Sequence, residues 1–449
     1  MTITEIRAAL ASLEARPRQV LGQNFLHDQN LAALIAGELA AGPGDTVVEI
    51  GPGLGALTEF LVGRAGRLLV LEKDARMVEW LKSRFGGRDM EILHGDALDF
   101  DLRSLWGGGP VKVIGNLPYY VSTPLIAHFA SAFSPASMLV LTLQCEVAER
   151  LAARPGDDAF GAMSVCVQRR WHTRLLRKLP PSVFYPEPKV GSATVVMTRK
   201  DRNELPPLDD TIFESLVRRG FSERRKQLRG LLAEHRDQWP VICRELGVKE
   251  TVRAENLSLQ QWETLTRLVA PAGAQKDSEL FDEVDEHDRV IGPKPRGYIH
   301  VNNLRHRAVH IELFNSRGEL YLQRRSPWKD LNPSKWDSSA AGHVDAGESY
   351  AQAASRELGE ELGVHTTLAR IGALPCSKET SWEFVEVFRG CHEGPFRLAG
   401  LEVETGGFFP LEQISRWLGD RPDDFSPLFH MIFPRFIFES CVGTQPRYE

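Results

Sequence analysis

The sequence lacks the long apolar segments that membrane proteins and secreted precursors carry. No run of about 18 apolar residues occurs in it, and the first 25 residues contain acidic side chains but no apolar stretch of secretory length. The six cysteines are scattered, with no pair at the short spacing of a zinc ribbon or a thioredoxin-like site. We therefore expect a soluble, cytoplasmic protein with reduced thiols and no membrane partner.

Internal repeats and low-complexity tracts are also lacking, and 42% apolar with 25% charged residues is an ordinary globular composition. The 449 residues are enough for more than one hydrophobic core. The net charge of -6 is unevenly spread, because residues 151–230 hold 16 basic and 9 acidic side chains. Such a concentration suits contact with phosphates, although a single basic run of this kind is more often a solvated helix face.

Short apolar runs alternate with helical segments in the first part of the chain and predict the buried parallel strands of an open α/β sheet. They occupy residues 46–50, 67–73, 90–93, 111–116 and 137–144. Apolar spacings of three and four then predict a helical appendage up to residue 270, and a small, polar, proline-interrupted segment precedes a new set of strand-like runs. The predicted domains are 1–200 (α/β), 201–270 (helical), 271–278 (linker) and 279–449 (a second globular domain).

A glycine turn follows the first predicted strand, at Gly51, Gly53 and Gly55. Its spacing differs from that of dinucleotide sites, and Glu72 closes the next strand 21 positions after Gly51, where a carboxylate can accept hydrogen bonds from ribose hydroxyls. Asp96 follows the third strand, where it would serve equally well as a helix N-cap. Because the carboxyl ends of parallel strands share one edge of a sheet, these positions predict a nucleoside-binding site.

The fourth predicted strand ends in the tetrapeptide Asn116-Leu117-Pro118-Tyr119. Methylation of an exocyclic base nitrogen requires acceptors for a weakly nucleophilic amine, and the Asn116 amide oxygen with a neighbouring backbone carbonyl can provide them. An aromatic ring can stack on the extruded base, and Pro118 makes the turn rigid. The motif is similar to that of amino-group methyltransferases acting on nucleic acids.

Seven motifs together resemble the KsgA-type adenine N6,N6-dimethyltransferases of small-subunit ribosomal RNA. They include PRQVLGQNFLHD (17–28), EIGPGLGALT (49–58), GNLPYY (115–120), PPSVFYPEPKVGSATV (180–195) and FSERRKQLRGLL (221–232). The resemblance is collinear over about 270 residues. It implies a Rossmann-like S-adenosylmethionine methyltransferase domain, a helical subdomain that grips ribosomal RNA, and dimethylation of two adjacent adenosines near the 3′ end of 16S rRNA in a 30S precursor.

The resemblance also implies roles for individual residues. The S-adenosylmethionine ligands would be Asn24, Leu26, Gly51, Glu72, Asp96 and Asn116. The target adenine would meet Asn116, Leu117, Pro118 and Tyr119, with Phe184 as a second stacking ring. The RNA would contact Arg224, Arg225, Lys226 and Arg229. Two positions depart from the family, Gly191 in place of an acidic residue and Phe160 in place of a tyrosine.

Two other roles are compatible with the first domain. It could act chiefly as an RNA-binding assembly factor with incidental catalysis, or it could methylate large-subunit RNA as the related antibiotic-resistance enzymes do. The segment FSERRKQLR, expected to be helical, and Leu117 favour the small subunit.

The second domain carries the complete pattern of a Nudix pyrophosphohydrolase, from Gly342 through Glu348 to the run 356–364. Glu357, Glu360 and Glu361 fall on one helix face, where mutual repulsion makes them costly without a cation. This spacing predicts an oxygen-bound Mg²⁺ or Mn²⁺ that contacts a diphosphate. We expect Arg356 to hold Glu348 or another carboxylate in place, and Glu360 to serve as the base.

The sequence around this pattern resembles the branch that contains isopentenyl-diphosphate isomerase. Ala341 stands where the isomerases carry a catalytic cysteine, and Ser381 replaces the first glutamate of their E-x-E pair, of which Glu383 remains. His306 and His343 match isomerase metal ligands but would serve as well in a structural role. We therefore predict an α/β/α Nudix domain that hydrolyses a small diphosphate, in a monomeric protein.

Overall fold

The computed structural model describes residues 1–14, 23–100, 102–106, 109–131, 134–201, 204–206, 208–269, 279–327, 329, 331–400 and 402–438. They form two compact units. The first contains Met1–Pro206 and Ile212–Val269, and the second contains the described residues from 279 onward with the short stretch 208–211. The predicted linker, 271–278, lies outside the described residues.

The first unit combines a seven-stranded sheet with helices. Its helices are α1 (Ile3–Ser12), α2 (Gln29–Glu38), α3 (Thr58–Leu61), α4 (Ala75–Phe85), α5 (Ser122–Phe129), α6 (Cys145–Ala152), α7 (Ala162–Arg170), α8 (Asp210–Gly220), α9 (Leu228–Leu231), α10 (Trp239–Leu246) and α11 (Leu259–Val269). Its strands are β1 (Phe25–Leu26), β2 (Thr46–Ile50), β3 (Arg67–Glu72), β4 (Glu91–His94), β5 (Val111–Asn116), β6 (Ala136–Gln144), β7 (Trp171–Leu179), β8 (Phe184–Tyr185) and β9 (Ser192–Arg199).

The large sheet has the strand order β4-β3-β2-β5-β6-β9-β7. Its first five strands are parallel, and β9 runs antiparallel to both of its neighbours. Both faces are covered, since Val47 packs in one apolar cluster with Ile35 and Leu81 while Val48 packs in another with Phe129. This double burial explains the near-continuous apolar runs of the central strands.

The predicted strands all form, within one or two residues of the expected bounds. The sequence did not indicate β7 and β9, which make the sheet mixed rather than parallel. Strand β7 is an edge strand with exposed charged side chains, such as Arg174 and Lys178, so its sequence lacks the apolar run of a buried strand. The helical appendage also forms, as α8 to α11, but residues 221–227 are turns and loop rather than the expected helix.

The second unit is built on a mixed seven-stranded sheet with the main order β14-β13-β12-β17-β16, in which β15 pairs with β12 and β18 with β13. Its strands are β10 (Leu280–Val284), β11 (Val290–Pro295), β12 (His306–Phe314), β13 (Leu320–Arg325), β14 (Trp336–Asp337), β15 (Ala340–His343), β16 (Ala369–Leu374), β17 (Glu383–Cys391) and β18 (Val403–Phe409). Its helices are α12 (Arg296–Val301), α13 (Tyr350–Leu362), α14 (Leu411–Asp420), α15 (Pro427–Ile432) and a π-helical segment (Phe433–Phe438).

Helix α13 is the helix of the second unit that carries the glutamate pattern. Ser349 and Gln352 form a capping box at its start, and Gly363 ends it in a left-handed conformation with φ of 68°. Its apolar side, which includes Leu358 and Leu362, packs against the sheet. The opposite side is therefore free to present polar groups. Among the described helices of the chain, none has the length and apolar character needed to span a bilayer.

Candidate active sites

One cleft of the first unit lies at the carboxyl edge of the parallel strands. Gly51 follows β2, Glu72 ends β3, Asp96 follows β4 and Asn116 ends β5, and all of them line this cleft. Asn24 and Leu26 reach the same cleft from the segment around β1. All six side chains or backbones expected to contact a cofactor therefore lie together, as the topology of an open α/β sheet requires.

The glycine turn shapes the floor of this cleft. Gly51 and Gly53 have φ values of 60° and 55°, which L side chains rarely adopt. A Cβ added at Gly51 would meet nothing within 4 Å, so the space beside it is open. The backbone N–H of Gly53 donates to Glu72 Oε2 at 3.1 Å, and that of Asp74 donates to Oε1 at 2.8 Å. These bonds fix the Glu72 carboxylate, whose pKa burial raises above its usual range.

Asp96 is placed by its neighbours rather than by a helix. Its Oδ2 pairs with Lys73 Nζ at 2.6 Å, and its Oδ1 accepts from the backbone N–H of Leu98 at 3.0 Å. Residues 97–99 form a turn, so Asp96 is not a helix N-cap. The hydrogen bond from Lys73 lowers the pKa of Asp96, which keeps an ionised carboxylate at the cleft.

Two residues of the tetrapeptide after β5 line the cleft, and the other two are held by contacts within the protein. The Asn116 side-chain Nδ2 donates to the backbone carbonyl of Asn24 at 3.0 Å, which leaves Oδ1 as the acceptor of this amide. Pro118 lines the cleft, whereas Leu117 is buried and Tyr119 shares a hydrogen bond of 2.6 Å with Ser192 Oγ. The tyrosine ring is thus held at its hydroxyl end by the start of β9.

Phe184, expected as a stacking ring, does not line the cleft. It is 3% exposed, pairs with Leu26 through the short strands β8 and β1, and packs in an apolar cluster of the core. The aromatic ring that does line the cleft and faces solvent is Tyr120, with 56% of its surface exposed. The stacking role of Phe184 therefore stays a prediction, and the structure packs its ring in the core beside the cleft-lining Leu26.

Glu49 is a residue of this cleft to which the sequence analysis gave no role. It is 1% exposed, and Thr58 Oγ1 donates to its Oε2 at 2.7 Å, while Oε1 has no hydrogen-bond partner. Burial raises the pKa of Glu49 to about 8. An acidic residue near the end of an apolar strand, two positions before a glycine turn, was the available signal.

The basic run expected to contact RNA is exposed and lies in the turn before α9 and at its start. Surface ion pairs join three of its members to glutamates: Arg224 to Glu255 (3.5 Å), Lys226 to Glu223 (2.8 Å) and Arg229 to Glu250 (3.2 Å). Arg225 is exposed beside them. Exposed pairs of this kind are weak, so these cations stay available to a polyanion.

A second cleft lies in the second unit, where α13 presents its polar side. Glu357, Glu360 and Glu361 all line it. The Glu360 side chain is 62% exposed, whereas that of Glu357 is 14% exposed. Glu361 is buried, and its Oε2 accepts from Gln323 Nε2 at 3.0 Å and from the backbone N–H of Ala341 at 3.1 Å.

Arg356 and Gly342 hold the glutamates in this arrangement. The Arg356 guanidinium donates to Glu348 at 3.2 and 3.0 Å and to Glu357 at 2.8 Å. A Cβ added at Gly342 would overlap the Glu357 carboxylate, so only glycine leaves room for it. Burial, with the nearby charge of Glu361, raises the pKa of Glu357 to about 8. A buried carboxylate pair of this kind is favourable only with a neutralising proton or cation.

Three histidines form a cluster in the same unit. One ring nitrogen from each of His300, His306 and His343 lies within 4.8 Å of the others. Glu383 Oε1 is 3.3 Å from His343 Nε2 and 3.6 Å from His306 Nε2. Burial lowers the pKa of His343 to about 4, so this imidazole is neutral. His300 was not predicted, and its position six residues before His306 was the available signal.

The family model for ribosomal RNA adenine dimethylase matches residues 15–270. Ribosomal RNA small subunit methyltransferase A of Aromatoleum aromaticum is 39% identical over 257 residues, which cover 57% of this chain and 96% of that protein. The protein of the same name from Moorella thermoacetica is 38% identical over 264 residues, covering 56% of this chain and 92% of that one. The chain therefore belongs to the ribosomal RNA adenine dimethylase family.

In this member of the ribosomal RNA adenine dimethylase family, the model for the NUDIX domain matches residues 304–429, from β12 to α15. The crystal structure of DR0079 from Deinococcus radiodurans is 26% identical and covers 35% of this chain and 99% of that one, with a TM-score of 0.32. The predicted combination of a methyltransferase domain with a C-terminal Nudix hydrolase domain is confirmed. The predicted kinship with the isopentenyl-diphosphate isomerase branch stays a prediction.

Proposed function

We propose that the first unit transfers methyl groups from S-adenosylmethionine to the N6 atoms of two adjacent adenosines near the 3′ end of small-subunit rRNA. The observation that carries this proposal is the shared cleft of Glu72, Asp96 and Asn116. The relatives named as small-subunit methyltransferases support the choice of RNA. The exposed cations of residues 224–229 supply a surface for its phosphates.

The residues of the cleft fit a cationic nucleoside cofactor. The buried Glu49 Oε1 has no protein partner, and the space beside Gly51 is open. Glu72 is placed to accept from ribose hydroxyls, and Asp96 is held ionised at the cleft. When bound, S-adenosylmethionine supplies an electrophilic methyl group on a sulfonium.

The protein's part in the chemistry is to position the adenine amine. Asn116 Oδ1, oriented by the bond from Nδ2 to Asn24, accepts from the amine together with a nearby backbone carbonyl. The amine loses its proton after the attack, so the reaction needs no side chain with a shifted pKa as base. Positioning and electrostatic stabilisation carry the rate enhancement.

Methyl transfer to isolated subunits tests this proposal. The full chain should transfer tritiated methyl groups to small subunits that lack the modification, and primer extension should place the label on two adjacent adenosines. Asn116→Ala should be inactive, whereas Asn30→Ala, at an exposed position of α2, should be fully active. Labelling of large subunits instead, or no transfer by the unaltered chain, would overturn the proposal.

We further propose that the second unit hydrolyses a small diphosphate with Mg²⁺ or Mn²⁺. Glu357, Glu360 and Glu361 would hold the cation, and the crowding of three carboxylates in one cleft supports this assignment. When bound, the cation activates water and neutralises diphosphate charge. Glu360, the most exposed of the three, would act as the base. Ala341 offers no thiol for an isomerase reaction.

The histidine cluster supports a second cation site in the same unit. His306 Nδ1 donates to the Leu304 carbonyl at 2.9 Å, and its Nε2 lies 3.6 Å from Glu383 Oε1. Imidazole and carboxylate ligands suit a transition metal. Elemental analysis of the purified chain should find such a metal, and His306→Ala should remove it. Metal content unchanged by this substitution would assign the cluster a structural role.

A screen of diphosphates with the full chain tests the hydrolase proposal. Nucleotide and prenyl diphosphates in the presence of Mg²⁺ should reveal a substrate that releases phosphate or a monophosphate. Glu360→Gln should lose this activity, whereas Glu412→Gln, at an exposed position of α14, should keep it. Equal activity of both variants would contradict the assigned base.

A further inference from the structure

We propose that helix α1 and the residues that precede it are part of the cofactor site, where Met1 and Ile6 form an apolar wall that contacts S-adenosylmethionine. This inference rests on the methyl-transfer function proposed above and deepens it. Both side chains line the same cleft as Glu72, Asp96 and Asn116, although they precede the first strand of the sheet. They add an apolar surface to a cleft whose polar groups come from the strand ends.

Helix α1 has a well-defined start and a single buried side. Thr2 and Glu5 form a capping box, in which the Glu5 backbone N–H donates to Thr2 Oγ1 and the Thr2 backbone N–H to Glu5 Oε2. Ile6 is 1% exposed, whereas Ile3 on the other side of the helix is 38% exposed. The helix therefore presents one isoleucine, Ile6, to the cleft and another, Ile3, to solvent.

The buried side of α1 packs on segments that themselves shape the cofactor cleft. Ile6 and Leu10 share an apolar cluster with Phe25, which begins β1, and with Leu54, which lies in the glycine turn. Phe25 also contacts the position where a Cβ of Gly53 would lie, at 3.0 Å. The helix is thus seated on the turn and on β1, the two segments that close around the cofactor.

A further contact joins α1 to strand β8. The Arg7 guanidinium lies 5.1 Å from the centre of the Tyr185 ring, a cation–π geometry. Tyr185 pairs with Phe25 across the strands β8 and β1. The apolar cluster and this cation–π contact together hold the helix against β1 and β8, so Ile6 has a fixed position in the wall.

Ile6 differs from the other buried residues of α1 because it also faces the cleft. Ala9 and Leu10 are buried but do not line the cleft, so their side chains contact only other protein residues. An apolar side chain at the wall of a ligand cleft gains from covering apolar parts of the ligand. The adenine face and the methylene groups of S-adenosylmethionine are the parts with this chemistry.

Calorimetric titration of the full chain with S-adenosylmethionine tests the role of Ile6. The proteins should carry no N-terminal tag. We expect Ile6→Ala to raise the Kd by about five- to tenfold, because the lost methyl and methylene groups contributed apolar contact. Ile6→Val, which removes one methylene, should give a smaller rise in the same direction. Ile3→Ala, a matched change on the solvent side, should leave the Kd within about twofold.

A second control separates cofactor contact from helix packing. Leu10→Ala should lower the thermal unfolding midpoint at least as much as Ile6→Ala, because both side chains are buried in one cluster, but it should leave the Kd unchanged. In methyl transfer, Ile6→Ala should raise KM for S-adenosylmethionine while kcat stays within about twofold.

The Kd values distinguish failure of the Ile6 inference from failure of the methyltransferase proposal. Equal Kd values for Ile6→Ala and the unaltered chain, or an equal rise for Leu10→Ala, would overturn the inference while the unaltered chain still binds the cofactor. Failure of the unaltered chain to bind S-adenosylmethionine would instead overturn the methyltransferase proposal and this inference with it.

Discussion

The side-chain Nδ2 of Asn116 donates a hydrogen bond to the backbone carbonyl of Asn24, with 3.0 Å between the two atoms. This contact determines which end of the amide points away from the protein. A hydrogen-bond donor is required at this position, because the partner is a carbonyl oxygen. The orientation of the Asn116 amide therefore depends on the segment before β1 as well as on β5.

Asn116→Asp should separate this orientation from side-chain size. The carboxylate has the same shape but no donor, so it would repel the Asn24 carbonyl and turn away from it. We expect kcat for methyl transfer to fall by about 100-fold, the scale of losing one positioned polar group in an active site. The Kd for S-adenosylmethionine should change much less. Activity close to that of the unaltered chain would show that the bond to Asn24 does not position the amide.

Glu49 should make the stability of the first unit depend on pH. Burial raises the pKa of its carboxyl to about 8, so the folded protein keeps a proton that the unfolded chain has lost. The protonated carboxyl makes its full contribution to the free energy of unfolding below the ordinary pKa of 4.5. This contribution is lost as the pH rises through about 8. Thermal unfolding of the cofactor-free protein should show this decline, and Glu49→Gln should decline less. Parallel curves of unfolding midpoint against pH for the two proteins would contradict this role of Glu49.

Tyr119 and Ser192 should act as one unit. Because they share a hydrogen bond of 2.6 Å, Tyr119→Phe and Ser192→Ala each remove the same contact. Each change should lower kcat by about three- to tenfold, the range expected for one net hydrogen bond. The double variant should be no slower than the slower single variant. Multiplicative losses in this double-mutant cycle would show that the two hydroxyls act independently.

Arg169 and Glu263 form a buried ion pair, with 6% and 8% of their side chains exposed and 3.1 Å between Arg169 Nη1 and Glu263 Oε1. The pair joins α7 to α11 of the helical appendage. Arg169→Ala should destabilise the first unit by about 3 to 5 kcal/mol, because it leaves a buried carboxylate without its partner. Denaturant titration, with cofactor binding as the signal of the folded first unit, measures this loss in the free energy of unfolding. Arg169→Met combined with Glu263→Leu should cost less, and a larger cost would refute the explanation.

Gly342→Ala should disable the hydrolase cleft without adding or removing a polar group. The new methyl group would overlap the Glu357 carboxylate and displace it. Because small displacements of a positioned group are costly, we expect a loss of about 100-fold in kcat on whichever diphosphate the screen identifies. Gly292→Ala, where an added Cβ meets nothing within 4 Å, provides the matched control. Comparable activity of the two variants would exclude this steric role.

The sequence predicted the parts of the sites that depend on strand ends and helix periodicity. Glu72, Asp96 and Asn116 could be placed in one cleft because parallel strands end at a common edge. Glu357 and Glu361 could be placed on one face because they are four residues apart on a helix. These relationships are local or follow from topology.

Contacts between distant segments could not be predicted in the same way. The burial of Phe184 depends on the pairing of β8 with β1, and the wall formed by Ile6 depends on how α1 packs across the glycine turn. Neither has a periodic signal in the sequence. The edge strand β7 was missed because its charged side chains conceal the strand pattern.

Two hydrogen bonds position side chains of the tetrapeptide 116–119. One joins Asn116 to Asn24, 92 positions away, and the other joins Tyr119 to Ser192, 73 positions away. During synthesis, a ribosome-bound chain can complete the first contact well before the second, since Ser192 emerges last. The tetrapeptide acquires both contacts only when β9 has left the exit tunnel and paired with β6. A chain that methylates ribosomal RNA would therefore become competent only after residue 192 has emerged from the ribosome that makes it.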